Sequence, residues 1–339
     1  MSDIVASAPL RVDLAGGTLD LWPLSVLHED ASTVNVALSL RARASYTSTR
    51  GGWHFEARDH EAELRVAAEG LRKAAAAATD GDFFALVLKV LDHIDWNESG
   101  HVVTSVDGPP GGGLAGSSAL MVALLGLAHT GAGRRLDRKR CPALARDLEA
   151  RVLGLPTGVQ DYYPAIHGGA LHLEYQPGAT HCNRIAADFD ALEARAVLAY
   201  SGKPHASAPS NWSIYRRRLE GERLAVESFS AISHAAAAAA SALRRSDWRR
   251  LGEAMTSDWE ARKRLDPALA PPALVDLETV GLEAGARAAK CCGAASGGTM
   301  LFLLKRPRDR RRVETTLSEA GARILPFKVA RTGLTVRRR

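Results

Sequence analysis

The sequence predicts an α+β fold in two domains, and three observations carry that expectation. At 339 residues the chain exceeds the size at which one core usually keeps growing, so it is expected to divide. Its early residues alternate apolar and polar side chains between short turns, as an antiparallel sheet does. Farther on, the apolar spacing turns largely helical, with strand-like stretches set between the helices.

Taken in order, Ala8–Ala15 sets Leu10, Val12 and Leu14 against Arg11 and Asp13, which predicts a half-buried strand ending at Gly16-Gly17-Thr18. Thr33–Thr47 and Trp53–Ala57 read as strands joined through the turn-prone Arg50-Gly51-Gly52. Ala62–Ile94 takes the helical period, interrupted near Thr79–Asp82. The strand Gly100–Val106 then feeds Gly108-Pro-Pro-Gly-Gly-Gly-Leu-Ala-Gly-Ser-Ser-Ala119, which passes into the apolar run Met121–Ala128. A helix is expected over Asp137–Leu153, stopped by Gly154 and Pro156. Thr157–Tyr163 reads as a loop or short helix before a strand at Gly168–Tyr175. Turn chemistry at Tyr175–Gly178 puts the domain boundary there, giving domains 1–176 and 177–339. Beyond it come a strand at Ala196–Tyr200, a polar loop, and helices over Trp212–Arg245, Asp247–Lys263 and Pro272–Ala284. Last, a small-residue loop, Gly293–Gly298, runs into a strong apolar strand.

Composition narrows the function. Apolar residues make up 46% and charged residues 24%, as in an ordinary soluble globular protein. No apolar run approaches the ~18 residues of a membrane span, and Met1–Ala15 lacks the order of a signal peptide. A cytoplasmic protein with no membrane partner is expected. The formal charge of +6 is concentrated in Lys305–Arg312 and Arg337–Arg339 without interleaved aromatics, which reads as a solvated helix start and terminus and not a nucleic-acid surface. Cys141, Cys182, Cys291 and Cys292 lack metal-ligand spacing and read as free thiols. The alanine runs 74–78 and 235–240 are helix formers and suggest compositional bias more than function.

The Gly-rich loop has a use at a helix start, where N–H groups without intrahelical partners and the positive end of the macrodipole attract anions. Glycines at 111, 112, 113 and 116 remove Cβ atoms from a loop that must curl, and Ser117 or Ser118 can cap the helix or face a metal carried by phosphates. A plain turn with a serine cap accounts for the same residues. Asp161 can likewise be a base or a turn residue, and Gly16–Asp20 a ligand loop or a turn.

Three loops stand in order: Ala8-Pro-x-Arg-x-x-x-x-Gly16, Pro110-Gly-Gly-Gly-Leu-x-Gly-Ser-Ser-Ala119 and Gly293-Ala-Ala-Ser-Gly-Gly298. This ordered set resembles the motifs of the GHMP kinase superfamily over nearly the whole chain. The run Arg11–Asp20 looks most like its sugar-kinase branch, the fucokinase-like and heptose-7-phosphate-kinase-like members, with galactokinases related.

The resemblance implies the two-domain GHMP kinase fold with the active site in the cleft between the domains, and ATP and Mg²⁺ as cofactors. It implies phosphoryl transfer to a hydroxyl of a monosaccharide or sugar phosphate, the anomeric one included. Pro110, Gly111, Gly112, Gly113, Leu114, Ala115, Gly116, Ser117 and Ser118 would embrace the ATP phosphates, without the lysine of a Walker A loop. Ser118 and Glu149 would hold Mg²⁺. Asp161, in Gly154-Leu-Pro-Thr-Gly-Val-Gln-Asp161, would accept or orient the acceptor's proton with Arg11 beside it. Its place on a loop predicts that Asp161→Asn barely alters stability. Gly16, Gly17, Thr18, Asp20, Gln160, Tyr163 and Gly297 would bind the acceptor. Gly17 and Thr18 stand where galactokinases carry an acidic residue and a histidine, which argues against galactose. Two other readings are an isoprenoid or amino-alcohol kinase (mevalonate- or homoserine-kinase-like) and a non-catalytic sugar-responsive binder. The assembly is expected to be a monomer or homodimer.

Overall fold

The computed structural model describes residues 3–79, 81–96, 98–202, 207–293 and 298–338, with 207–211 as backbone only. Among the described residues the strands in chain order are β1 (Ile4–Ala15), β2 (Ser32–Ser48), β3 (Trp53–Ala57), β4 (Ala62–Val66), β5 (Gly100–Val106), β6 (Ala170–Gln176), β7 (Ala179–Ile185), β8 (Ala196–Tyr200), β9 (Ala286–Cys291), β10 (Thr299–Leu304), β11 (Arg323–Ile324) and β12 (Thr335–Arg338). They form two sheets. The larger is ordered β12-β1-β2-β5-β3-β4, with β6 on β2 and β7 on β6; the smaller is β11-β8-β10-β9. Of these pairings only β3 on β5 is parallel. Besides β1, β2 serves two further partners because it is long: Ser32–Val36 pairs with β6 and Ala42–Ser48 with β5.

Several expected elements change. Ala62–Val66 is a strand and not the start of a helix: a turn through Arg58–His60, closed by Glu61 in the left-handed region, reverses the chain so that Ala62 pairs with Ala57. Helices follow at Leu71–Ala77 and Ala85–Ile94. The expected helix 212–245 is two, Ser207–Leu219 and Arg223–Arg244, separated where Gly221 takes a positive φ. The turn at Tyr175–Gly178 joins β6 to β7 within the larger sheet. The smaller sheet begins at β8, and β12 returns to pair with β1.

The core explains the position of the first motif. β1 is buried on both faces from Ala8 to Ala15, so its polar face carries Arg11 and Asp13 into the interior and not toward water. The helix Gly116–Gly131, apolar on nearly every side, packs on β1 and β2. The helix Arg223–Arg244 packs on the same strands. Its buried Ala235, Ala236, Ala239 and Ala240 make the alanine run a packing surface: a Cβ on Gly16 would come within 2.9 Å of the Ala236 Cβ. Two members of the basic run also tie down backbone, Arg310 donating to the carbonyls of Glu193 and Ala196 and the exposed Arg312 to that of Ala284. No helix among the described residues is long and apolar enough to cross a membrane.

Candidate active site

A cleft of ≈ 590 Å³ runs along the Gly-rich loop, walled by residues 108–118, the loop 155–162, Thr18 to Leu21, and Trp212 and Tyr215 of the helix Ser207–Leu219. Gly111 and Gly113 take φ values of 62° and 73°, conformations that favour glycine. Ala115, also left-handed, stands at the N-cap of the helix Gly116–Gly131, and no side chain caps it. The serines are therefore not caps. They occupy the first turn, whose N–H groups lack intrahelical acceptors, and Gly116, Ser117 and Ser118 line the cleft. The third motif backs this loop: Thr299 N–H donates to the Gly112 carbonyl at 3.0 Å, and a Cβ on Gly293 would lie 2.8 Å from the Gly113 oxygen. Gly297 lies outside the described residues.

The Ser117 hydroxyl donates to Glu149 Oε1 at 3.1 Å and the Ser118 hydroxyl to Oε2 at 3.2 Å, and the Tyr162 hydroxyl donates to Oε2 as well. Glu149 comes from the helix Cys141–Leu153 and is buried. Burial raises its carboxyl above the usual range, and the nearby Asp161 charge adds to this, against the hydrogen bonds that lower it. The donor set suits Mg²⁺: a hydroxyl and a carboxylate, both hard oxygens, beside a phosphate-shaped loop. Among the described residues no cluster of three or more His, Cys, Asp or Glu could hold a metal. The remaining ligands of such an ion would be phosphate oxygens and water.

In the same cleft the Arg11 guanidinium meets Asp161 through Nε and Nη2, each 2.7 Å from Oδ1, and Nη1 donates to the Gly113 carbonyl at 2.7 Å. The backbone helps: β1 shifts register between Pro9 and Arg11, and Arg11 N–H donates to Leu114 across to the Gly-rich loop. Burial works against the Arg11 charge, yet Asp161 and Asp13 outweigh it and raise its pKa. Asp161 precedes the helix Tyr162–His167 without capping it, leaving its carboxylate to Arg11.

Asp20 is buried beneath this loop. Its oxygens accept from Gln160 N–H at 2.9 Å and Gln160 Nε2 at 3.2 Å, and a Cβ on Gly158 would collide with it at 1.7 Å. Burial, helped by the Asp161 charge, raises its carboxyl to about 6. Thr18, Asp20 and Gln160 line the cleft, whereas Gly16, Gly17 and Tyr163 do not number among its walls. Gly16 is packed under the Ser32 carbonyl, and a side chain on Gly17 would meet Arg262 Nη2 at 2.1 Å, so both glycines serve close packing. Tyr163 turns to His167 and the smaller-sheet core. Its neighbour Tyr162 lines the cleft instead. Trp22 is 70% exposed, and its carbonyl accepts from the Tyr215 hydroxyl, so it is not a core side chain.

Behind Arg11 lies a buried set of charges that the motifs did not disclose. Lys290 Nζ, on β9, is 2.5 Å from Asp13 Oδ2 and 3.3 Å from Asp258 Oδ2. Arg262 Nε is 3.3 Å from the same Asp258 oxygen, and Arg262 Nη1 donates to the Gly293 carbonyl. Gly16 N–H donates to Asp258, and Gly293 N–H to Asp13. The first and third motifs are thus bound together through charges. One signal was present in the sequence: two charged residues, Arg11 and Asp13, on one side of an otherwise apolar strand.

Residues 83–169 match the GHMP kinases N terminal domain and residues 239–323 the GHMP kinases C terminal domain, together just over half of the chain. The chain is 25% identical over 336 residues to D-glycero-alpha-D-manno-heptose 7-phosphate kinase of Campylobacter jejuni, covering 95% of each protein. It is 27% identical over 233 residues to galactokinase of Mycobacterium tuberculosis, covering 60% of this chain and 63% of that one. Among solved structures, a D-glycero-D-manno-heptose 1-phosphate kinase from Bacteriodes thetaiotaomicron superimposes with a TM-score of 0.77 at 23% identity, covering 98% of both chains.

Proposed function

The chain belongs to the GHMP kinase family, and we propose that it transfers the γ-phosphoryl group of ATP to a hydroxyl of a monosaccharide or sugar phosphate. The observation that carries this reading is the Arg11–Asp161 pair in the same cleft as the uncapped start of the helix Gly116–Gly131. The helix start and the loop N–H groups receive the phosphates. Asp161 accepts or orients the proton of the acceptor hydroxyl as its oxygen bonds to the γ-phosphorus and the bond to the bridging oxygen breaks, the electron pair leaving with ADP. Arg11 places positive charge beside both groups. Ser118 and Glu149 would hold Mg²⁺, which when bound neutralises phosphate oxygens.

The acceptor wall supports a polyhydroxylated substrate over an isoprenoid one. Thr18, Asp20 and Gln160 offer polar groups, and opposite them Trp212 stacks on Tyr215 at 5.2 Å between ring centroids. Heptose-phosphate kinases, galactokinase and glucuronokinase are what the relatives are named. The test is ADP release with Mg²⁺-ATP and a panel of fucose, arabinose, galactose, glucuronate and heptose phosphates, followed by NMR of the product. One sugar is expected to raise ADP well above the water background, and none doing so overturns the proposal.

A further inference from the structure

Arg11 and Asp13 project from the same face of β1, two residues apart, so the carboxylate nearest to Arg11 in sequence competes with Asp161 for its guanidinium. The competition is one-sided: Arg11 approaches Asp161 to 2.7 Å through two nitrogens, but Asp13 only to 3.9 Å. The reason is that Asp13 is already occupied. Its Oδ2 faces Lys290 Nζ at 2.5 Å and its Oδ1 accepts from Gly293 N–H at 2.9 Å. Lys290 has 0% exposure; it donates to Asp13 Oδ2 and to the Asp13 carbonyl at 3.0 Å, and it forms an ion pair at 3.3 Å with Asp258 Oδ2, an oxygen that accepts no hydrogen bond among the described residues.

We propose that Lys290 is a positioning residue for phosphoryl transfer, which by saturating Asp13 leaves the Arg11 guanidinium to Asp161. This rests on the role assigned above to the Arg11–Asp161 pair. A count of charges supports it. Arg11, Lys290 and Arg262 balance Asp13, Asp161 and Asp258. Without Lys290, three carboxylates share two guanidiniums. Arg262 is tied to Asp258 one helical turn away and to the Gly293 carbonyl, so Arg11 must divide between Asp13 and Asp161. Asp13 is fully buried, whereas the Asp161 side chain is 26% exposed and can be hydrated instead. A buried unpaired carboxylate is the costlier outcome, so Arg11 turns to Asp13 and leaves the site.

The experiment compares the full chain with Lys290→Met and with Lys290→Met/Asp13→Asn. Two readouts are taken: steady-state ADP release with the sugar found by the panel, and the ¹⁵N–¹H resonance of the Arg11 Nε–H, identified by its loss in Arg11→Lys. In Lys290→Met the Arg11 resonance is expected to move and kcat to fall by about 100-fold, the scale of a small misplacement of a reacting group, with KM for ATP little changed. In the double variant, removal of the competing charge returns the resonance and recovers most of kcat. A purely structural lysine gives no such recovery. A folded Lys290→Met with the Arg11 resonance unmoved, or a double variant no faster than the single, overturns the proposal. If the methionine variant does not fold, Lys290→Gln, which keeps an N–H donor, takes its place under the same criteria. The resonance needs no turnover: if no sugar releases ADP and the resonance still moves, the functional reading and the role in transfer fall, while the hold of Lys290 on Asp13, and through it of Arg11 on Asp161, stands.

Discussion

Glu149 and Asp161 are carboxylates of one cleft, and they differ in what faces them. Glu149 is ringed by the hydroxyls of Ser117, Ser118 and Tyr162, donors that carry no charge. Asp161 meets a guanidinium, and behind that guanidinium stand Asp13, Lys290, Asp258 and Arg262 in a balanced set. The first arrangement leaves a buried negative charge without a counter-ion, which is what a site for an arriving cation requires. The second is complete within the chain, which is what a group meant to hold one orientation through the reaction requires. The surroundings of Glu149 are thus open to a counter-ion, whereas the Arg11–Asp161 pair is balanced by the fold.

The comparison breaks most sharply at Asp161. Asp161→Asn keeps an oxygen for Arg11 but cannot take a proton, so kcat should fall by about 10²- to 10⁴-fold, measured by ADP release. Stability should fall as well, because a buried guanidinium loses the charge of its partner; thermal melts of the two proteins decide between this and the small change that a loop position suggests.

Glu149→Gln tests the other side. The concentration of Mg²⁺ at half-maximal rate should rise by about tenfold or more, the scale of losing a supporting group at a metal site. The same variant should be the more stable one without ligand at high pH. Glu149 titrates higher in the folded chain than in the unfolded one, so the cost of charging it is absent at low pH and appears as pH rises through that raised value. Thermal melts from about pH 4 to pH 8 should show the variant gaining on the native protein with pH.

Asp20 carries the smallest expected effect. With its carboxyl raised to about 6, the native protein loses stability as pH rises through that value, and Asp20→Asn should remove that step while paying a constant offset for one weakened bond to Gln160. A pH dependence identical in both proteins would show that Asp20 is not the titrating group.

Much of the site was legible because its signals are local. A loop with four glycines before an apolar helix, a glutamate on the next helix and an aspartate after Gly154-Leu-Pro156 each occupy a short stretch whose residue types limit the backbone and the chemistry. Strands such as Trp53–Ala57, Gly100–Val106 and Ala196–Tyr200 appear where alternation or apolar runs put them. Ala62–Val66 misled because its five residues fit either period, and a hairpin partner decided between them.

The sequence by itself determined the three ordered small-residue loops, the Gly-rich start of an apolar helix and the presence of Asp161, Arg11, Ser118 and Glu149. Only the tertiary structure decided that Tyr162 and not Tyr163 joins Glu149, that Gly16 and Gly17 serve packing, and that Arg11 faces Asp161 and not Asp13. The physical reason is range. A glycine's freedom and a helix's dipole act within a few residues, whereas the choice between two carboxylates depends on which buried charges distant segments bring within about 4 Å, where low dielectric makes each of them count.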